Sequence, residues 1–141
     1  MSGEPRSLSQ LMPSGQYGLV SFKIRIVPDA SPRLIREFVD AEGNNPFRDW
    51  LDNLDLSARA RVQARVLRFS TGNLGDHKGV GGGVLEARIA FGPGYRVYFG
   101  LDGNTVVLLL LGGDKSTQVR DIRRARDYWK AYLEGHDGRT K

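Results

Sequence analysis

Arg88, Arg96, Lys115 and Lys78 are the residues whose types and spacing suit chemistry on a phosphate. Arg88 lies in "VLEARIAF" (84–91), where a period of two puts it on one face with Glu86 and Ala90. Arg96 lies in "YRVYFGL" (95–101) and shares its face with Tyr98. If the hairpin between these runs closes at "GPG", both arginines stand near one end of the same sheet face. Lys115 is delivered by the end of the next strand, and Lys78 enters from the loop before the first. Guanidinium forks hold phosphate, and Tyr95 or Tyr98 offers a ring on which a base can stack, so the set matches RNA. Histidine is the side chain type suited to proton transfer near neutral pH, so His77 is a candidate proton carrier or RNA contact. Taken singly, each of these residues reads rather as a strand-end surface charge or one half of a salt bridge to Glu86 or Asp114. Their convergence carries the argument.

Other motifs are weaker. His77 and His136 are far apart and neither has a partner at ligand spacing, so neither metal nor cofactor is expected. His136 reads as a solvated residue of a polar tail. "GVGGG" (79–83) precedes a strand and lacks the spacing of a phosphate loop, so it reads as a flexible connector. "GGDKS" (112–116) follows a strand and opens a helix. It is either a phosphate cradle at a helix N-terminus or an ordinary turn capped by Asp114 or Ser116.

These residues need a scaffold. "LIREFV" (34–39) predicts a strand. Asn45 followed by Pro46 opens a short helix, "FRDWLDNL", with Phe47, Trp50, Leu51 and Leu54 on one face. Asp55 caps a second helix, "LSARARVQARVLRFS", with Val62, Val66 and Phe69 as its apolar stripe. Arg61, Arg65 and Arg68 form a parallel basic stripe, with Arg59 beside it. "TGNLGDHKGVGGG" (71–83) reads as a glycine-rich loop. Runs 84–91, 95–101 and 105–111 predict a three-strand meander with tight glycine turns. A last helix over roughly 117–134 sets Ile122, Ala125, Trp129 and Leu133 toward the sheet. The expected fold is α+β: an antiparallel sheet of one N-terminal strand plus the meander, with helices on one face and the other face open to ligand. Domain bounds are 1–33 for an N-terminal extension, 34–134 for the compact unit and 135–141 for a tail. "VSFKIRIV" (20–27) alternates like a strand and could add to the sheet edge.

The 141 residues suit one domain, and a 40% hydrophobic fraction is enough for one core. The formal charge of +5 favours phosphate-rich or acidic partners. Cysteine is absent, which removes disulfide and thiolate chemistry and fits a reducing compartment. No apolar run approaches the ~20 residues of a membrane span. The opening "MSGEPRSLSQLMPSGQYG" has no apolar core of a secretory signal, so the cytoplasm is the expected location.

The order W-L-D…A-R…G-N-x-G-D-x-K…G-P-G-Y-R-V-Y-F…L-L-x-G-G-D-K-S-T-Q, within residues 34–134, resembles the RelE/ParE toxin superfamily. The likeness is closest to its HigB-like, phage-derived addiction-module killer branch. The resemblance implies a RelE-like fold and the toxin of a type II toxin–antitoxin system: a ribosome-dependent mRNA endonuclease, or mRNA interferase, working without metal. It implies partners: the ribosome with its A-site mRNA, and a helix-turn-helix antitoxin of the HigA kind. Arg96 matches the family's phosphate-stabilising arginine, Lys115 the basic residue after the last strand, and Arg88 a basic position on the second strand. Lys78 matches an RNA contact. The best-known members carry a tyrosine, and HigB-type sites histidines, where this chain has Asp121 and Ile122, so the proton carrier would be His77, Asp114 or Tyr95. The basic helix faces, including Arg120, Arg123 and Arg124, suit rRNA or an acidic antitoxin segment, or are solvated. Two alternatives remain open: a ParE-like inhibitor of DNA gyrase, and a non-catalytic binding module.

Overall fold

A computed structural model describes residues 32–140, with side chains through residue 135. The run at 20–27 lies outside the described residues, and His136 outside the described side chains. The element order is β1 (Leu34–Glu37), α1 (Pro46–Asp52), α2 (Leu56–Ser70), β2 (His77–Gly79), β3 (Leu85–Ile89), β4 (Tyr95–Asp102) and β5 (Val106–Asp114). A 3-10 turn (Lys115–Thr117) then leads into α3 (Gln118–Thr140). Both short-range helix signals act as expected. The Asn45 side chain accepts from Arg48 N ahead of Pro46, and Asp55 accepts from Ala58 N, so each first turn has a partner for an otherwise orphaned amide.

The fold is α+β, with one five-stranded mixed sheet in the order β1-β5-β4-β3-β2. Three expectations are corrected. First, the sheet is not wholly antiparallel: β1 pairs parallel with β5, Leu34 opposite Val106. The α1–α2 pair carries the chain between β1 and the rest of the sheet, so β1 can align with the last strand. Second, the glycine-rich loop contains a strand. β2 pairs antiparallel with β3, Lys78 opposite Glu86. Third, the helices are not on one face. The α1–α2 side packs Phe47, Leu51, Val62 and Phe69 against Ala87, Val97, Phe99, Val107 and Leu109. The opposite side packs Ala125 and Trp129 of α3 against Tyr98, Leu108 and Leu110.

Two glycines explain why α3 can lie there. A Cβ on Gly100 would overlap the Trp129 ring, and a Cβ on Gly113 would overlap the Asp121 carboxylate. On the other face, a Cβ on Gly112 would overlap the Trp50 ring of α1. The apolar run therefore does not stop at Leu111. It stays in the sheet through Asp114, with Gly112, Gly113 and Asp114 opposite Val97, Arg96 and Tyr95. The adjacent glycines let one helix approach from each side.

Arg65 is a further correction. Read as part of a basic surface stripe, it is buried. Its Nη1 donates to the Arg88 carbonyl at 2.7 Å, and its Nε and Nη2 reach the carbonyls of Leu74 and Asp76. This guanidinium ties α2 to β3 and to the segment entering β2. Arg61 instead lies over the Phe91 ring, 4.1 Å from its centroid.

Candidate phosphate-binding face

α3 covers the central strands on its side, while Lys78 and Arg88 stay exposed toward the sheet margin. In an antiparallel ladder, residues directly opposite share a face. Arg88 stands opposite Arg96, and Lys78 opposite Glu86, which is opposite Tyr98. Lys78, Arg88, Arg96, Glu86 and Tyr98 therefore occupy one side of the sheet. Lys78 is exposed, the Arg88 side chain is 46% exposed and the Arg96 side chain is 11% exposed.

Each arginine has its own carboxylate. Arg88 Nη2 lies 3.3 Å from Asp76 Oδ1 at the surface. Arg96 Nε lies 3.8 Å from Oε1 of Glu86, a side chain with no solvent exposure. Arg96 Nη1 donates to the Gly94 carbonyl at 3.1 Å. Lys115 is exposed and borders the same glycine: a Cβ placed on Gly94 would stand 3.3 Å from Arg96 Nη1 and 3.8 Å from Lys115 Cβ. Gly94 is thus the floor between the guanidinium and the lysine stem. Beyond Lys115 a shallow depression of about 390 Å³ is bounded by Arg120 and Arg123. Arg88 and Arg96 stand on one side of the sheet, and Lys115 lies exposed across Gly94 from Arg96.

The aromatic and titratable candidates are placed differently. Tyr98 has no solvent exposure, so no base can stack on it. Burial pushes its hydroxyl far above the ordinary phenol range, and the neighbouring Glu86 adds to the push. It stays protonated and donates to Glu86 Oε2 at 3.1 Å. Tyr95 alternates to the other face, where its ring meets Trp50 and Phe91. His77 is opposite Ala87, a core residue of the α1–α2 side, and so faces away from Lys78. Its Nδ1 contacts the Gly75 carbonyl at 2.8 Å, which makes Nδ1 the donor and leaves Nε2 as the basic nitrogen of the neutral ring.

The "GGDKS" segment forms a cap. Asp114 accepts from Ser116 N at 2.8 Å and Ser116 Oγ at 2.5 Å, and Thr117 donates to the buried Asp121. The Ser116 hydroxyl holds the Asp114 carboxyl below its ordinary range, against a smaller upward push from burial. The chain's own carboxylate therefore fills the place a phosphate would take.

Sequence reasoning treated Glu86 only as a salt-bridge partner. Its burial, and the Gln118 Nε2 that donates to its Oε2 at 2.8 Å, came from α3 crossing this face. The available signal was a lone acid alternating with apolar residues in "VLEARI".

The fold and this face define a small α+β protein with cations gathered at one sheet margin. The chain belongs to one family with a protein of Haemophilus influenzae (strain ATCC 51907 / DSM 11121 / KW20 / Rd) described as uncharacterized. The two are 48% identical over 81 residues, which is 57% of this chain and 82% of the relative. No protein-family model matches the chain, and no solved structure matches it. Among the described residues no helix is long and apolar enough to cross a membrane.

Proposed function

We propose that this protein is the toxin of a type II toxin–antitoxin system, with a RelE-like fold, and that it cleaves mRNA on the ribosome in the cytoplasm. The observation that carries the reading is the direct opposition of Arg88 and Arg96 on one sheet face, with Lys78 exposed beside them and Lys115 across Gly94. The likeness of residues 34–134 to the RelE/ParE superfamily supplies the reaction class.

Cleavage of this kind needs no water in its first step. The ribose 2′-oxygen attacks the adjacent phosphorus, a new P–O2′ bond forms and the P–O5′ bond breaks. The 2′-OH proton goes to a base, and the leaving 5′-oxygen takes a proton. The products are a 2′,3′-cyclic phosphate and a 5′-OH. Negative charge builds on the non-bridging oxygens as the phosphorus becomes five-coordinate. Preorganised cations lower that barrier because they need no reorganisation at the moment of reaction. Arg96, Arg88 and Lys115 take this role, and Lys78 holds the neighbouring backbone. A helix-turn-helix antitoxin of the HigA kind would silence the toxin by covering the same basic surface.

A second reading has its own support. His77, Tyr95 and Asp114 are turned away from the cations or locked in a cap. A phosphate-binding face with no proton carrier on it suits a binding module, or a ParE-like protein that stops gyrase by contact. Ribosomes programmed with mRNA and mixed with the purified protein separate the readings. Codon-specific cleavage in the A site, absent with Arg96→Ala, is the expected result; intact mRNA with the unsubstituted protein rejects the nuclease.

A further inference from the structure

We infer that Glu86 is a positioning residue that aims Arg96 at a bound phosphate group. This rests on the reading of Arg96 as a phosphate ligand.

The geometry is asymmetric. Tyr98 and Gln118 both donate to Oε2 of Glu86, at 3.1 Å and 2.8 Å. Two donors on one oxygen fix the carboxylate plane and turn Oε1 toward Arg96. Glu86 Oε1 and Arg96 Nε are both sealed from solvent, both lack a hydrogen bond, and lie 3.8 Å apart. A closure of about 1 Å would join them in a charge-assisted hydrogen bond of about 2.8 Å. Arg96 spends Nη1 on the Gly94 carbonyl. With Nε facing Glu86 and Nη1 facing Gly94, the Nη2 corner remains for a ligand.

The electrostatics need such an anchor. Arg88 and Arg96 are direct cross-strand partners, and like charges so placed repel. Arg88 is half-exposed and meets Asp76 at the surface. Arg96 stays largely covered because a buried carboxylate holds it, and that carboxylate in turn requires a cation. Gln118 belongs to the first turn of α3, so the helix that closes the sheet also sets the guanidinium.

The test uses the full chain and inorganic phosphate, titrated by proton–nitrogen NMR. Glu86→Gln keeps the side-chain shape and removes the charge. If Glu86 were only a nearby negative charge, its removal would tighten anion binding. If it positions Arg96, folded Glu86→Gln binds phosphate roughly tenfold more weakly, the loss of one well-aimed charged contact. The Arg96 Nε–H resonance is protected from exchange in the unsubstituted chain and loses that protection in Glu86→Gln. Equal or tighter phosphate binding by the folded variant, or an unchanged Nε–H resonance, overturns the inference. Arg96→Ala is the companion. If it abolishes phosphate binding while Glu86→Gln retains it, positioning fails and the phosphate reading stands. If Arg96→Ala binds phosphate normally, both fail. Should Glu86→Gln not fold, Gln118→Ala on the half-exposed first turn of α3 removes one of the two fixing donors. It weakens phosphate binding in the same direction, and no change there overturns the inference.

Discussion

Arg88 and Arg96 face each other across β3 and β4 but are held by carboxylates of opposite character. Asp76 meets Arg88 in solvent, and Glu86 meets Arg96 in the interior. One member of the pair is exposed and the other is largely covered. On the function proposed above, a phosphodiester arriving at this margin meets the exposed Arg88 before the covered Arg96.

Arg88→Ala and Lys78→Ala remove exposed cations and leave the core alone. Each is expected to weaken single-stranded RNA binding roughly three- to tenfold and to reduce the salt-dependence slope by about 0.7. The melting temperature stays nearly constant, because an exposed ion pair contributes only about 0–1 kcal/mol. Fluorescence titration at several salt concentrations reads the slope. An unchanged slope in both variants removes these residues from the RNA path.

Arg65→Ala acts on stability. It leaves the carbonyls of Leu74, Asp76 and Arg88 without their donor in a covered site. Urea unfolding is expected to show a loss of roughly 3 kcal/mol. Hydrogen exchange should rise first in β2, since Arg65 secures its entry. A loss below about 0.5 kcal/mol would return Arg65 to the surface stripe.

Gly112→Ala and Gly113→Ala test the double approach of helices to β5. The added methyl meets Trp50 in one case and Asp121 in the other. Each variant is expected to lose roughly 3 kcal/mol or to fail to accumulate as folded protein. Circular dichroism of the two variants at equal concentration checks this.

Local signals in the chain were read well and long-range ones poorly, for a physical reason. The Asn45-Pro46 and Asp55 caps and the helix at 56–70 depend on neighbours in sequence, and they stand where the spacing put them. The alternation that put Arg88 with Glu86, and Arg96 with Tyr98, is also local, and the ladder keeps it. Which face α3 would cover depends on what Gly100 and Gly113 admit from far along the chain. Alternation alone therefore offers Tyr98 as a stacking platform, whereas α3 makes it core. β2 was hidden because His77, Lys78 and Gly79 carry no apolar alternation, and pairing with β3 alone makes them a strand. Arg65 looked like its stripe-mates because composition does not report the carbonyls that surround it.

Acid should weaken the fold through Glu37. Burial raises this carboxyl, but hydrogen bonds from Arg48 and Asn45 and the Arg48 charge outweigh it, so the folded pKa lies below the ordinary 4.5. A depressed folded pKa means that the folded chain releases the proton more readily than the unfolded one. The resulting stability is fully present above pH 4.5 and is lost as the pH falls through the lower, folded value. Urea midpoints measured from pH 6 down to pH 3 are expected to fall for the unsubstituted chain and to flatten for Glu37→Gln. Parallel curves for the two would assign the acid sensitivity elsewhere.

The parallel pairing of Leu34 with Val106 also governs when the molecule can come into being. Among the described residues, the first strand finds its sheet neighbour in the last one, so closing that contact must wait for nearly the whole domain. The entropy of so long a loop slows the search. A nascent fragment that ends before β5 lacks both the partner of β1 and the neighbour that seats β4. A protein of this topology completes its sheet only when nearly the whole domain has been made.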